Sequence, residues 1–345
     1  MNETYEPGGK AKRTAYKIVC AKLGSIMIVY FLCRLLAGYI TVILNRSASN
    51  IGQIPVNLIN TAITIIFIYA IPILLTAIVF GSFRRYGQGS GGSRTLYKRP
   101  RRLARALGTF PAIYGFGYGI ALLTLLASYL ISRTTGGQTL IEDLLRPTVM
   151  EPPSDIAGAL TLLFLMVVIA PVLEELWVRG IIYDALEPYG CGMAIMISSV
   201  LFGLMHGSLY MLLYTTALGF ALGYVRNATG SIFVTTVLHA IINSVAAVYL
   251  FISTLAIITQ GENRLLNTLS NIYMLAMLVL IIVGLIAFLK KIPTIKKYRV
   301  GNEWSDTGAG MKIALFFLSI PVIIMLVLAF NEHTNNWLIN MITGG

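Results

Sequence analysis

Nine stretches of this chain are long, apolar and almost free of charge: 23–44, 57–80, 110–131, 158–182, 192–209, 211–225, 231–255, 272–289 and 312–330. A bilayer core about 30 Å thick takes about 20 apolar helical residues to cross, and a helix satisfies its own backbone where no water is at hand. The runs therefore predict an all-α fold, a polytopic transmembrane helical bundle of eight or nine spans. The fifth and sixth runs are short and share a weak boundary between Ser208 and Leu212. A membrane barrel would read instead as alternating segments of about ten residues. With 12% charged and 57% hydrophobic residues, the chain has half the charge of an ordinary soluble domain and none of the composition of a disordered one.

The net charge of +12 would suggest nucleic acid in a soluble protein. Here no nucleic acid is expected, because the basic residues sit between spans, where membrane lipid is the partner. They fall in three groups. Lys10, Lys12, Arg13, Lys17 and Lys22 precede or enter the first run; Arg84, Arg85, Arg94, Lys98, Arg99, Arg101, Arg102 and Arg105 lie between the second and third; Lys290, Lys291, Lys296, Lys297, Arg299 and Lys312 precede the last. With nine spans all three fall on one side, which the positive-inside rule makes cytoplasmic. The expectation is a multi-pass integral membrane protein with its N-terminus cytoplasmic, in the plasma membrane if the source is prokaryotic. The first run, broken only by Arg34, exceeds a signal-peptide core of about 7–15 residues and reads as a retained span. Cys20, Cys33 and Cys191 suggest no disulfide framework. Gly115 with Gly119, and Gly219 with Gly223, have the spacing that lets helices approach closely.

Charge inside a span costs at least about 2.5–3.5 kcal/mol, which makes the few ionisable residues there informative. Glu174 and Glu175 are adjacent in one run, with Arg179 four residues on. On a helix Glu175 and Arg179 share a face and pair, while Glu174 points about 100° away. His206 follows Phe202 by four positions, and His239 precedes Asn243 by four. His333 lies near the C-terminus as a bystander. A carboxylate, two imidazoles and an amide supply a general base, a holder for water and oxyanion donors. The same residues would also serve a proton relay, so a non-enzymatic proton-coupled transporter is the alternative, as is a scaffold or bacteriocin-immunity module.

Glu174-Glu175-x-x-x-Arg179, Phe202-x-x-x-His206 and His239-x-x-x-Asn243, in that order, resemble the CPBP family, the CAAX protease and bacteriocin-processing intramembrane endopeptidases. The resemblance covers residues 157–255 as a catalytic helical core, between an N-terminal membrane region (1–156, three spans and a basic loop) and a C-terminal one (256–345, two spans). It implies an intramembrane endopeptidase acting on a membrane-associated peptide or protein near the membrane surface. Glu174 would activate water, His206 and His239 would hold it, Asn243 would stabilise the oxyanion, and Glu175, Arg179 and Phe202 would support them. Two schemes are open: a divalent metal such as zinc on His206, His239 and Glu174, or a metal-free water, which is preferred because a ligating Glu174 is not free to act as base. Counting residues from the span ends sets Glu174 and His239 about 12–14 Å deep, in a cavity expected to face the cytoplasm, with His206 deeper.

Overall fold

A computed structural model describes residues 9–46, 53–81, 103–136, 152–297 and 308–333. The Gly-rich stretch and most of the basic loop that follow Gly81, the acidic positions Glu142, Asp143 and Glu151, and Arg299 lie outside the described residues. Among the described residues every regular element is helical. Six helices are long and apolar enough to cross a membrane: α1 (Ala11–Arg46), α2 (Val56–Val79), α3 (Leu103–Thr135), α4 (Ile156–Tyr189), α7 (Ile232–Ile258) and α8 (Arg264–Lys291). Two shorter helices, α9 (Ala309–Phe317) and α10 (Ile320–His333), meet at a 70° bend and make a seventh span if counted as one.

The expected eight or nine spans are thus six or seven among the described residues. The difference lies at α5 (Cys191–Leu204) and α6 (Leu209–Thr229). The 14 residues of α5 extend about 21 Å, short of a crossing. Its run is apolar because it is enclosed by protein: Met193, Ala194, Ile197, Leu201 and Phe202 are all buried. A helix apolar on every side belongs either in lipid or in a core, and the sequence alone does not separate the two. The α5–α6 pair is a hairpin, with Gly219 of α6 against Ser199 and Phe202, and Gly223 against Ile195.

Two packed clusters divide the molecule. One joins α1, α2, the second half of α4, α5 and the α9–α10 pair around Tyr30, Trp177 and Phe316; the other joins α3, α6, α7 and α8 around Tyr114, Leu222 and Leu238. In the second, the Gly115 backbone lies directly on Gly284 of α8. A side chain at Gly115 would have to displace backbone, which cannot rotate away. Gly115→Leu is therefore expected to lose more than the about 1–3 kcal/mol typical of overpacking, read as a lower thermal midpoint of the purified protein.

Prolines shape the two helices that carry the site. In α2 and in α4 a π-helical stretch, Thr64–Ala70 and Leu165–Ile169, is followed within two residues by Pro72 and Pro171. In a π turn each N–H bonds five residues back, as Ala170 does to Leu165. The next acceptor, the Met166 carbonyl, would need the N–H that Pro171 lacks. The Asn243 amide of α7 donates to it at 2.9 Å.

Candidate active site

Glu174 and Glu175 lie at the seam between the two clusters, on the α4 turn that follows Pro171, and they flank the two ring nitrogens of His239. Glu175 is fully buried; its Oε1 accepts from Arg179 Nη1 at 2.8 Å and lies 3.1 Å from His239 Nδ1. Arg179, equally buried, also donates to the Gly219 carbonyl at 3.2 Å and stacks its guanidinium 4.4 Å above the Phe202 ring, a cation–π contact strengthened where water is excluded. The expected pairing of Glu175 with Arg179 is thus present, and it extends to a histidine and an aromatic.

Glu174 shares His239 and adds a partner from α2. Its Oε1 accepts from the Tyr69 hydroxyl of α2 at 2.9 Å, and its Oε2 stands 3.7 Å from His239 Nε2. The latter gap is too long for a direct hydrogen bond, yet a single water seated against both atoms reaches each. Because an ionised Glu175 carries acceptors only, His239 Nδ1 donates to it, and Nε2 is the nitrogen that faces Glu174. His206 follows the same logic. Its Nδ1 lies 2.7 Å from the Phe202 carbonyl, which can only accept, so Nε2 of the neutral ring is the available acceptor.

His206 is not deep in a span. It sits on the turn at residues 205–208 that joins α5 to α6, and the Ser208 hydroxyl caps α6 by accepting from the Met211 N–H at 3.1 Å. Glu174 is fifteen residues before Tyr189, and His206 fifteen after Cys191. Counted from the α4–α5 corner at about 1.5 Å per residue, the two stand at one level. The apparent mismatch in depth came from span boundaries drawn through the corner and the turn.

Phe202 is not a wall of the cavity. It is a wedge, edge-on to His206 at 4.7 Å and to His239 at 5.6 Å between ring centroids. Asn243, expected beside His239 as an oxyanion donor, directs its amide to Met166 instead. Among the described residues no three His, Cys, Asp or Glu side chains converge to hold a metal ion. Glu174, His206 and His239 do not, as placed, form a ligand set for zinc.

A partly open cavity of about 420 Å³ has Glu174 and His206 in its wall. The rest of the lining comes mostly from α1 and α2, including Tyr30, Arg34 and Tyr69. Arg34 donates to the Met205 carbonyl and, at 3.1 Å, to the Tyr30 hydroxyl, which itself reaches Met205 at 3.0 Å. The turn bearing His206 is therefore gripped from α1. Gly207 makes this fit: its φ of +77° is unfavourable for other residues, and a Cβ there would meet the Arg34 guanidinium. Farther along α2, Trp177 Nε1 donates to the Thr76 hydroxyl at 2.8 Å, a second tie between α2 and α4.

These first-two-helix residues were missed in the sequence. Arg34 had a signal, as the lone charge in the first run. Tyr69 had none, being one tyrosine among eighteen.

From Tyr30 the lining of this cavity continues along α1 to Thr41, and from Tyr69 back along α2 to Thr64.

Residues 156–245 match the family model described as "Type II CAAX prenyl endopeptidase Rce1-like". A Bacillus subtilis (strain 168) protein named "Putative membrane peptidase YdiL" is 38% identical over 78 residues, which is 22% of this chain and 32% of that protein. No solved structure matches the chain. The matched residues contain all three motifs, with Glu174 and Glu175 on α4, Phe202 and His206 at the α5–α6 turn and His239 and Asn243 on α7. Over residues 156–245 this multi-pass integral membrane protein is thus similar to the Rce1-like type II CAAX prenyl endopeptidase family.

Proposed function

We propose that the protein is a membrane endopeptidase that hydrolyses a peptide bond in a membrane-associated peptide or protein, with water activated by Glu174. The observation that carries this reading is the Glu174 carboxylate in the cavity wall, with one oxygen held by Tyr69 and the other 3.7 Å from His239 Nε2. A water bound between Glu174 Oε2 and His239 Nε2 loses its proton to the carboxylate as it attacks the scissile carbonyl, and Glu174 returns that proton to the leaving amine. Glu175 holds His239 in the tautomer this requires. His206, with Nε2 as its free acceptor, orders the substrate or a second water at the same wall. Arg34, a fixed positive charge lining the cavity, favours the negative charge that develops on the carbonyl oxygen. Asn243 and Phe202 position the groups that react. No step is routed through a metal, since the side chains present do not converge as ligands.

Purified protein in proteoliposomes, offered a library of fluorogenic membrane-associated peptides, is expected to cleave some members. Absence of cleavage across the library would overturn the reading. Tyr69→Phe keeps the ring and removes only the donor to Glu174. It is expected to lower kcat by about tenfold with KM little changed, the loss of one charge-assisted hydrogen bond of about 1.5–3 kcal/mol being partly recovered by water. A change confined to KM would show that Tyr69 serves binding rather than the carboxylate.

A further inference from the structure

Arg226, near the end of α6, is buried, although no step of the reaction uses it. Its guanidinium meets α4 at two points: Nε donates to the Arg179 carbonyl at 3.2 Å, and Nη2 pairs with Asp184 Oδ1 at 3.1 Å. The Asp184 side chain is 27% exposed, so water screens that ion pair and leaves it worth little. The bond to the carbonyl is the one enclosed by protein.

The local backbone explains why that carbonyl needs a donor. Beyond Glu175, α4 enters a second π-helical stretch, Leu176–Ile182, which ends where the Tyr183 N–H reaches five residues back to Val178. Regular α-helix resumes at Tyr183–Leu186, with the Glu187 N–H bonding four residues back to Tyr183. Where the register returns from five to four, one carbonyl is passed over, and the one after Val178 belongs to Arg179. The earlier π-helical stretch has the same gap at Met166, filled by Asn243. Glu174 and Glu175 thus stand between two widened turns, each closed by a side chain from a neighbouring helix.

Helix α6 also holds the far end of Arg179, whose Nη2 donates to the Gly219 carbonyl at 3.2 Å. Gly219 precedes Arg226 by seven residues, about two helical turns, so both contacts come from one face of α6. The main chain and the guanidinium of Arg179 are therefore fixed by the same helix. That guanidinium holds Glu175, and Glu175 holds His239.

We infer that Arg226 is a positioning residue for the site: its Nε–H, rather than its charge, keeps the second widened turn open and so sets Arg179, Glu175 and His239 in place. The effect on turnover rests on the peptidase reading; the effect on His239 does not.

Three substitutions separate the donor from the charge. Arg226→Gln keeps an N–H at the ε position and loses the charge, Arg226→Lys keeps the charge and puts a methylene there, and Arg226→Met has neither. Per folded protein, Arg226→Met and Arg226→Lys are expected to lower kcat about tenfold or more with KM within about twofold, as a displaced reacting group does. Arg226→Gln is expected to stay within about threefold of wild type, because the hydrogen bond is retained. Equal kcat in all three, a loss confined to KM, or a ranking that follows charge would overturn the inference. If Arg226→Met does not fold, the contrast of Arg226→Gln with Arg226→Lys decides; failure of both Arg226→Met and Arg226→Lys to fold would make the contact a structural one and overturn it as well. A second readout needs no turnover. In protein carrying histidine labelled with heavy nitrogen, the His239 ring signals, assigned by their loss in His239→Gln, are expected to shift in Arg226→Lys and to keep their wild-type positions in Arg226→Gln. Signals unchanged in both would count equally against the inference. A wild type that cleaves nothing while these signals move as expected would defeat the peptidase reading and leave the role of Arg226 standing.

Discussion

Glu174→Gln is expected to reduce peptide cleavage by at least about 100-fold, within the range of about 10²–10⁴ for loss of a positioned general base, while the folded yield and thermal midpoint remain close to wild type. The amide is nearly isosteric and still accepts from Tyr69 through its oxygen, so the wall of the cavity is preserved and only the base is lost. The same experiment separates the two carboxylates. Glu175 touches Arg179 and His239 but is fully buried, and it has no face on the cavity. Cleavage by Glu174→Gln at near wild-type rate would remove the proposed mechanism, whatever the family resemblance.

The largest effect on stability is expected from Arg179→Met. That guanidinium ties three elements at once: Glu175 on its own helix, the Gly219 carbonyl of α6 and the Phe202 ring of α5. Removing it leaves the Glu175 charge buried without a permanent cation, beside His239 and Thr235. Truncating one member of a buried pair costs about 3–5 kcal/mol, enough to abolish folded protein in a marginally stable chain. The double variant Glu175→Leu with Arg179→Met is expected to recover the folded yield, because well-packed apolar replacements of a buried ion pair are often neutral or better. Its activity should stay low, since His239 no longer has the acceptor that fixes its tautomer. Thermal unfolding and cleavage rates of the single and double variants distinguish the two contributions. A stable, active Arg179→Met would show that the pair does not support the site.

How far the sequence was legible follows from the range of each interaction. Helical periodicity within one element was readable, which is why Glu175 with Arg179 and the divergence of Glu174 from them agree with the contacts found. The membrane character was readable from hydropathy. Hydropathy reports only how apolar a segment is, and α5 is apolar for the same reason as a lipid-facing span while being enclosed by protein; the miscount of spans and the misplaced His206 have that one origin. Asn243 shows a further limit. Its spacing from His239 suggested a shared task, yet its amide satisfies a carbonyl on another helix, freed by Pro171 and the π turn before it. Tyr69, Tyr30 and Arg34 come from helices outside residues 156–245 and meet the site only through tertiary packing.

The wide turn before Pro171 amounts to one surplus residue in α4. Deleting Val167 or Val168 would close it into regular α-helix and rotate the stretch from Ile156 by about 100° relative to Glu174. Every motif residue would remain, in order and at its spacing, while Gly158 and Thr161, which line a second cavity of about 340 Å³ with α2, turned relative to the carboxylate. Substitutions of similar volume at these two positions should be tolerated where a single deletion is not. In this helix the number of residues, as much as their identity, is inherited information.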